Sequence, residues 1–297
     1  MKNPVVICFG EVLWDLLPTG KIAGGAPMNV AYQTNNLGMQ SRMISRVGSD
    51  DLGQELLDFL QGKGVSTELV QTDKKYPTGI VNVLLDDKGI PSYEIVQPAA
   101  WDNIELTKEM LDAVNVADAL VFGSLSCRAE NTKKTLLALL EKAPLRVFDV
   151  NLRQPFYSKA LLEELLPMAN IVKVNDIELE ILADWYGLNG SEAEQLEALR
   201  YRFGFDRIIV TKGEYGAASL SRSSYCVVSG VTIKVQDTIG SGDAFLSGYL
   251  SKLFAGANDQ ECLRFANALG ALTATKAGGT PEIGREEMEA FLNSCYH

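Results

Sequence analysis

The feature that most restricts the fold is a rhythm. Short apolar, β-rich runs (PVVICF, RMISRV, ADALVF, LRVFDV, NIVKV and DRIIVT) are separated by segments with helical periodicity, among them 27–37, 52–61, NTKKTLLALLEKA and SEAEQLEALRYRFG. Strands that alternate with helices build βαβ units, which lay their strands parallel and cover both faces of the sheet. The expected fold class is therefore α/β with a long, mainly parallel sheet. A hydrophobic content of 46% over 297 residues can fill the interfaces such a sheet needs, in one large domain or two smaller units.

The rhythm breaks twice, over 11–22 and 78–100, where GIVNVLLDDKGIPSYEIV alternates around an Asp-Asp-Lys-Gly turn. These stretches predict a separate antiparallel patch, either an extension of the sheet edge or a lid over a cleft. An exposed face on such a hairpin is also where a second subunit would pair to give a homodimer.

Bulk properties exclude several functions. A net charge of -11 without clustered Lys and Arg argues against nucleic acid as a partner. The five cysteines are scattered, odd in number and without a C-x-x-C pair, which reads as reduced thiols. The first apolar run is too short for a signal peptide and no window is long enough to span a membrane, so the cytoplasm is the expected compartment. The single histidine is His297, which leaves no basis for a Ser/His triad, a histidine base or a His-based metal site. Proton transfer would fall to a carboxylate.

The stretch DTIGSGD, Asp237 to Asp243, opens a helix whose Phe245, Leu246, Tyr249, Leu250 and Leu253 recur at helical spacing. Gly240, Ser241 and Gly242 can turn backbone N–H groups outward at the positive end of that helix, which makes an anion cradle. Asp243 in the first turn either complements the helix dipole or takes a proton beside a phosphoryl group in flight. A Walker P-loop is absent, and GSGDAF lacks the third glycine of a dinucleotide fingerprint.

Gly24 and Gly25 precede a helix with Pro27 in its first turn, either as a tight turn or as bare backbone that a polyhydroxy ligand can approach, with Asn29 and Asp15 as hydrogen-bonding partners. Asp149-Val-Asn-Leu-Arg153 and Asn175-Asp-Ile-Glu178 follow strands, at the sheet edge where open parallel sheets bind ligands. Each is a loop or helix cap on the plain reading, while Glu178 also suits hydrated Mg²⁺. The stretch from Thr211 to Gly216 reads as a turn at Gly213 and Gly216.

In this order, GGAPMN, NDIE, TKGEYG, DTIGSGD and AGGTP resemble the ribokinase-like carbohydrate kinases, the PfkB family, from the first strand to the final helix. DTIGSGD looks like that family's D-T-x-G-[AS]-G-D signature and is specific even alone. The resemblance implies a three-layer α/β/α domain over 1–297 with a small β-sheet lid, and transfer of the ATP γ-phosphoryl group to a sugar hydroxymethyl. Asp243 would be the base and Gly240, Ser241 and Gly242 the anion hole. Asp15, Gly24, Gly25, Asn29 and Arg153 would bind sugar. Asn175, Thr211, Gly213, Gly216 and Asn267 would bind ATP. Glu178 would act on Mg²⁺ through water, and Asp237 with the backbone at Ile239 and Gly279 would hold a monovalent cation such as K⁺. Val150 stands where relatives often carry proline. GEVLWDLLP and Ala100-Trp-Asp102 look most like the fructokinase branch, although Trp14 and Trp101 are expected to serve packing. Ribokinase, 2-keto-3-deoxygluconate kinase and a non-catalytic sensor are the alternatives.

Overall fold

The computed structural model describes residues 3–18, 20–85 and 91–296. The Asp-Asp-Lys-Gly turn over 86–89 and His297 lie outside the described residues. The strands are β1 (Val5–Phe9), β2 (Leu13–Leu17), β3 (Gly20–Gly24), β4 (Gln40–Gly48), β5 (Ser66–Asp73), β6 (Gly79–Leu85), β7 (Pro91–Ile95), β8 (Ala119–Gly123), β9 (Arg146–Asp149), β10 (Ile171–Asn175), β11 (Arg207–Thr211), β12 (Ala217–Leu220) and β13 (Tyr225–Val228). The helices are α1 (Ala26–Asn36), α2 (Asp51–Gly62), α3 (Lys108–Val116), α4 (Glu130–Leu140), α5 (Lys159–Leu165), α6 (Asp176–Tyr186), α7 (Glu192–Phe203), α8 (Ser241–Phe254), α9 (Asp259–Ala274) and α10 (Arg285–Tyr296).

Among the described residues the large sheet has the order β13-β12-β11-β10-β9-β8-β1-β4-β5. From β5 to β11 every neighbouring pair is parallel, while β12 and β13 add an antiparallel edge. Each of the six apolar runs that set the rhythm forms a strand of this sheet. The strand β1 shows why both faces are covered: Val5, Ile7 and Phe9 point into one core, Val6 and Cys8 into another. The first core takes Val114 of α3, Leu136 of α4, Leu162 of α5, Leu182 of α6 and Leu196 of α7. The second takes Met28 of α1, Leu56 of α2, Leu246 of α8 and Leu263 of α9. Period-two side chains that are apolar in both directions require helices above and below, which is the three-layer α/β/α arrangement.

Chain order reverses at β1. The chain runs outward through β4 and β5 on one side and through β8 to β11 on the other. The crevice at the carboxyl ends of the strands beside such a reversal is where open α/β sheets bind ligands.

The two breaks in the rhythm form a separate sheet of order β3-β2-β6-β7, in which β2 and β6 are parallel and the outer pairs antiparallel. One buried cluster ties its return strand to the body. Arg128 donates through Nε and Nη2 to the Asp102 carboxylate at 2.7 and 2.8 Å and through Nη2 to the Val96 carbonyl at 2.9 Å. Its guanidinium lies 3.7 Å from the centre of the Trp101 ring and 4.9 Å from that of Phe156. Trp101 is fully buried, and Trp14 donates its indole N–H to the Leu52 carbonyl, so both tryptophans serve packing.

The sequence pattern does not mark β5 or β13. Both are edge strands with mixed burial, so their apolar alternation is weak. The five cysteines are free, and among the described residues no helix is long and apolar enough to cross a membrane.

Arg128→Ala should lower the unfolding free energy by about 3–5 kcal/mol, because it strands the Asp102 charge inside the protein. Urea unfolding measures the loss, and a change below about 1 kcal/mol would mean that the pair does not anchor the sheet.

Candidate functional site

The carboxyl ends of the central strands and the amino ends of α1 and α8 converge on Asp243. Asp243 is buried in the first turn of α8, and its Oδ2 accepts a 2.8 Å hydrogen bond from Asn29 Nδ2, on the first turns of α1. The carboxylate does not cap its own helix: Gly240 is the N-cap residue, in the left-handed region at φ 74°, and no side chain bonds the first amides. Ser241 N–H is engaged by the Thr238 carbonyl at 3.2 Å, while among the described residues the N–H groups of Gly242 and Asp243 have no acceptor. The anion cradle therefore rests on the amides at 242 and 243 more than on Ser241.

Two glycines permit this geometry. A Cβ on Gly240 would lie 2.5 Å from the Gly279 Cα, and a Cβ on Gly279 would lie 2.7 Å from Asn29 Nδ2. The two loops are further joined by Asp237, which accepts from the amides of Ile239 (3.0 Å) and Gly278 (2.9 Å). Asp237 forms no ion pair among the described residues, so its charge, set where these two loops meet, fits a monovalent cation.

On one side of the cradle lies a cavity of about 330 Å³. It is lined by Thr211, Gly213, Gly216, Val231, Ile233, Val235, Ser241, Gly242 and Asn267. Its size and apolar wall suit a flat heteroaromatic ligand. The Thr211 to Gly216 stretch is the turn of the β11–β12 hairpin, and a Cβ on Gly216 would meet the Val228 carbonyl at 2.1 Å. Asn267 Nδ2 donates to the Ser229 carbonyl and to Tyr296 Oη, both at 3.0 Å, and so braces the far wall.

On the other side stand the small sheet and the α1 turn. Asp15 lies on β2 with Oδ2 against Gly24, where a Cβ would be only 2.6 Å away. Gly25, at φ 116°, passes the Glu11 carbonyl so closely that a Cβ would sit 2.4 Å from it. Arg153 is exposed on the loop after β9, close enough for its charge to act on Asp15, Glu11 and Asp243.

Burial raises the carboxyls of Asp243, Asp15 and Glu11. Asp243 is pushed up to about 6 by burial and then by the Asp149 charge, against the Asn29 hydrogen bond, Lys173 and Arg153. Burial lifts Asp15 to about 6, with Arg153 opposing. Glu11 reaches about 7, chiefly through burial, against its own amide and Arg153. Asp149 is itself paired with buried Lys173 at 2.8 and 2.9 Å.

Asn175 and Glu178 form a capping box at the start of α6: Asn175 Oδ1 accepts from Glu178 N–H, and Glu178 Oε2 from Asn175 N–H. Glu178 Oε1 also accepts from Leu152 N–H at 2.8 Å, and burial together with Asp149 raises its pKa. With both oxygens on amides, Glu178 fits contact with Mg²⁺ through water and not direct ligation. Among the described residues no three metal-ligating side chains cluster. Glu11 and Lys173 escaped the sequence reading. The available signal was a charged residue inside the apolar strand NIVKV and another two positions after β1.

A family model described as "pfkB family carbohydrate kinase" matches residues 9–283. The chain is 30% identical to Fructokinase-2 of Solanum lycopersicum over 312 residues, 95% of this chain and 94% of that one. The crystal structure of a fructokinase with bound ATP from Xylella fastidiosa superposes with a TM-score of 0.84 at 25% identity, covering 98% of each chain. A fructokinase double mutant from Vibrio cholerae O395, in a fructose, ADP and potassium ion bound form, gives 0.82 at 25% identity over 98% of this chain and 99% of that one.

Gly256, at φ 79° with nothing near its Cβ position, isolates the cost of backbone conformation from that of crowding at Gly240. Gly256→Ala should cost about 1 kcal/mol and Gly240→Ala at least about twice that, with weakened nucleotide binding only in the latter. Thermal unfolding and calorimetric titration with an ATP analogue check both. Equal losses would mean that the loops at 240 and 279 do not need their close approach.

Proposed function

Since the chain belongs to the pfkB family of carbohydrate kinases, and is an ATP-dependent carbohydrate kinase, we propose that it is a fructokinase that converts D-fructose to fructose 6-phosphate. The observation that carries the reading is a buried carboxylate, Asp243, held by Asn29 at the amino end of a helix whose free amides face a nucleotide-sized cavity. The comparisons support the sugar through the fructokinases among the relatives.

The chemistry follows from the placement of the groups. Asn29 occupies Oδ2 of Asp243, which leaves Oδ1 to accept the proton of the attacking hydroxymethyl. With a pKa near 6 the carboxylate is ionised at neutral pH and is a stronger base than an exposed aspartate. The amides at Gly242 and Asp243, at the positive end of α8, are aimed at the charge that develops on the transferred phosphoryl group. Asn175, Thr211, Gly213, Gly216 and Asn267 bind the nucleotide. Asp15, Gly24, Gly25, Asn29 and Arg153 bind the sugar. Glu178 would act through water on the Mg²⁺ that accompanies ATP, and Asp237 with the backbone at Ile239 and Gly279 would hold K⁺; both ions would supply positive charge to the phosphate side.

In this reading residues 1–297 form one kinase domain of the cytoplasm. The strands within 11–22 and 78–100 are a lid that excludes water from the sugar, and the lid's outer face pairs two subunits.

A panel of fructose, ribose, adenosine and 2-keto-3-deoxygluconate with ATP and Mg²⁺ tests the substrate. Fructose should show the highest kcat/KM. A higher value for another acceptor would overturn the fructose assignment and leave the family intact. Because Asp243 must be ionised, kcat/KM should fall about tenfold between pH 7.5 and 5, and a flat profile would contradict a base titrating near 6.

A further inference from the structure

Behind the anion cradle lies a buried lysine with no place in the mechanism above. Lys173, on β10, has a side chain that is 7% exposed, and its Nζ donates to both oxygens of Asp149 on β9, at 2.9 and 2.8 Å. Its other neighbour is the cradle itself. A Cβ on Gly242 would lie 3.4 Å from Nζ, so the ammonium is packed against the backbone of the turn that carries the free amides. Among the described residues no other Lys or Arg shares this interior position: Arg153, the other cation acting on Asp243, is exposed on a loop.

A buried ammonium is costly unless its surroundings are acidic. Burial alone would lower the pKa of Lys173, yet Asp149 beside it, with Glu178 and Asp243 further off, keeps it raised. The pairing is therefore more than a neutral bridge. Burial and then the Asp149 charge raise the proton affinity of Asp243, and Lys173 opposes them.

We infer that Lys173 is a positioning residue for phosphoryl transfer: clamped by Asp149 behind the Gly242 turn, its ammonium keeps the Asp243 carboxylate ionised and backs the anion cradle with a fixed positive charge. The inference deepens the reading of Asp243 as the base and rests on it. Without the lysine, Asp243 would sit in a dry pocket facing the Asp149 carboxylate, and would take up a proton at the pH at which it must accept one. The other groups that face Asp243 are Cys8 on β1, Glu11 after β1, Asp149 on β9, Arg153 on the following loop and the neutral Asn29 on α1. Arg153 is solvated and at the mouth, so its influence is screened.

The test is a titration of the free protein, labelled with ¹³C at the aspartate carboxyls and assigned through Asp243→Asn. In Lys173→Met the Asp243 midpoint should rise by about one pH unit, while Lys173→Arg, which keeps the charge, should stay near wild type. Because Lys173→Met leaves Asp149 buried and unpaired, the comparison is repeated between Asp149→Asn and Asp149→Asn/Lys173→Met, where that charge is gone. The double variant should show the higher midpoint, and the acid limb of the kcat/KM profile should move with it. A rise in either background that folds supports the inference. Unmoved midpoints, with only a uniform loss of kcat, would make Lys173 a packing element and overturn it. Asp243→Asn separates the two levels: it should lose at least about 10²-fold in kcat with nucleotide binding kept. If it stays active, the base reading fails, while the midpoints in the free protein still report whether Lys173 acts on Asp243.

Discussion

The hydrogen bond from Asn29 to Asp243 joins residues 214 positions apart in the chain and is buried at both ends. It can form only if α1 and α8 present their amino ends to one another, which their packing on the same face of the sheet achieves through Met28, Phe245, Leu246 and their neighbours. The two helices begin in glycine turns, at Gly25 and Gly240, whose backbone approaches Glu11 and Gly279 more closely than any side chain would allow. Fold and chemistry thus meet at one contact: the sheet places the helices, the glycines let them close, and the contact aims a carboxylate.

The same convergence creates an electrostatic problem. Asp243 and Glu11 are buried and Asp15 is half-buried near one crevice, and burial raises the proton affinity of each. A base benefits from a moderate rise of this kind, because it becomes stronger while staying ionised at neutral pH. An excessive rise silences it. Within the body the balance lies with the Asp149–Lys173 pair, and at the mouth with Arg153. The capping box of Asn175 and Glu178 orders the next strand end, so that each strand from β9 to β11 ends in a fixed polar group.

Much of this was legible in the sequence, for reasons that differ by element. Strands buried on both faces leave continuous apolar runs, so β1, β4 and β8 to β11 could be read directly, whereas edge strands β5 and β13 leave no such trace. The two interruptions of the rhythm did form a separate sheet. DTIGSGD marked the turn before α8, but its composition left Asp243 as either a helix-terminal charge or a base; the distinction depends on Asn29, which the chain separates from it by most of its length. For Asn175 and Glu178 the plain reading as a helix cap is realised in the geometry. Lys173, Glu11 and Arg128 were not legible, because a charged residue in an apolar run acquires meaning only when its partner arrives from another strand or loop: Asp149, the turn before α1 and Asp102 respectively.

The central claim is that Asp243 faces the hydroxyl that is phosphorylated. A crystal structure of the protein with fructose and a non-hydrolysable ATP analogue measures this directly. The account predicts the C6 hydroxyl oxygen within about 3 Å of Asp243 Oδ1, with the terminal phosphate seated against the amides at 242 and 243 and Asn29 still bonded to Oδ2. A sugar that presents another hydroxyl to Asp243, or that binds with the carboxylate out of hydrogen-bonding reach, would contradict it.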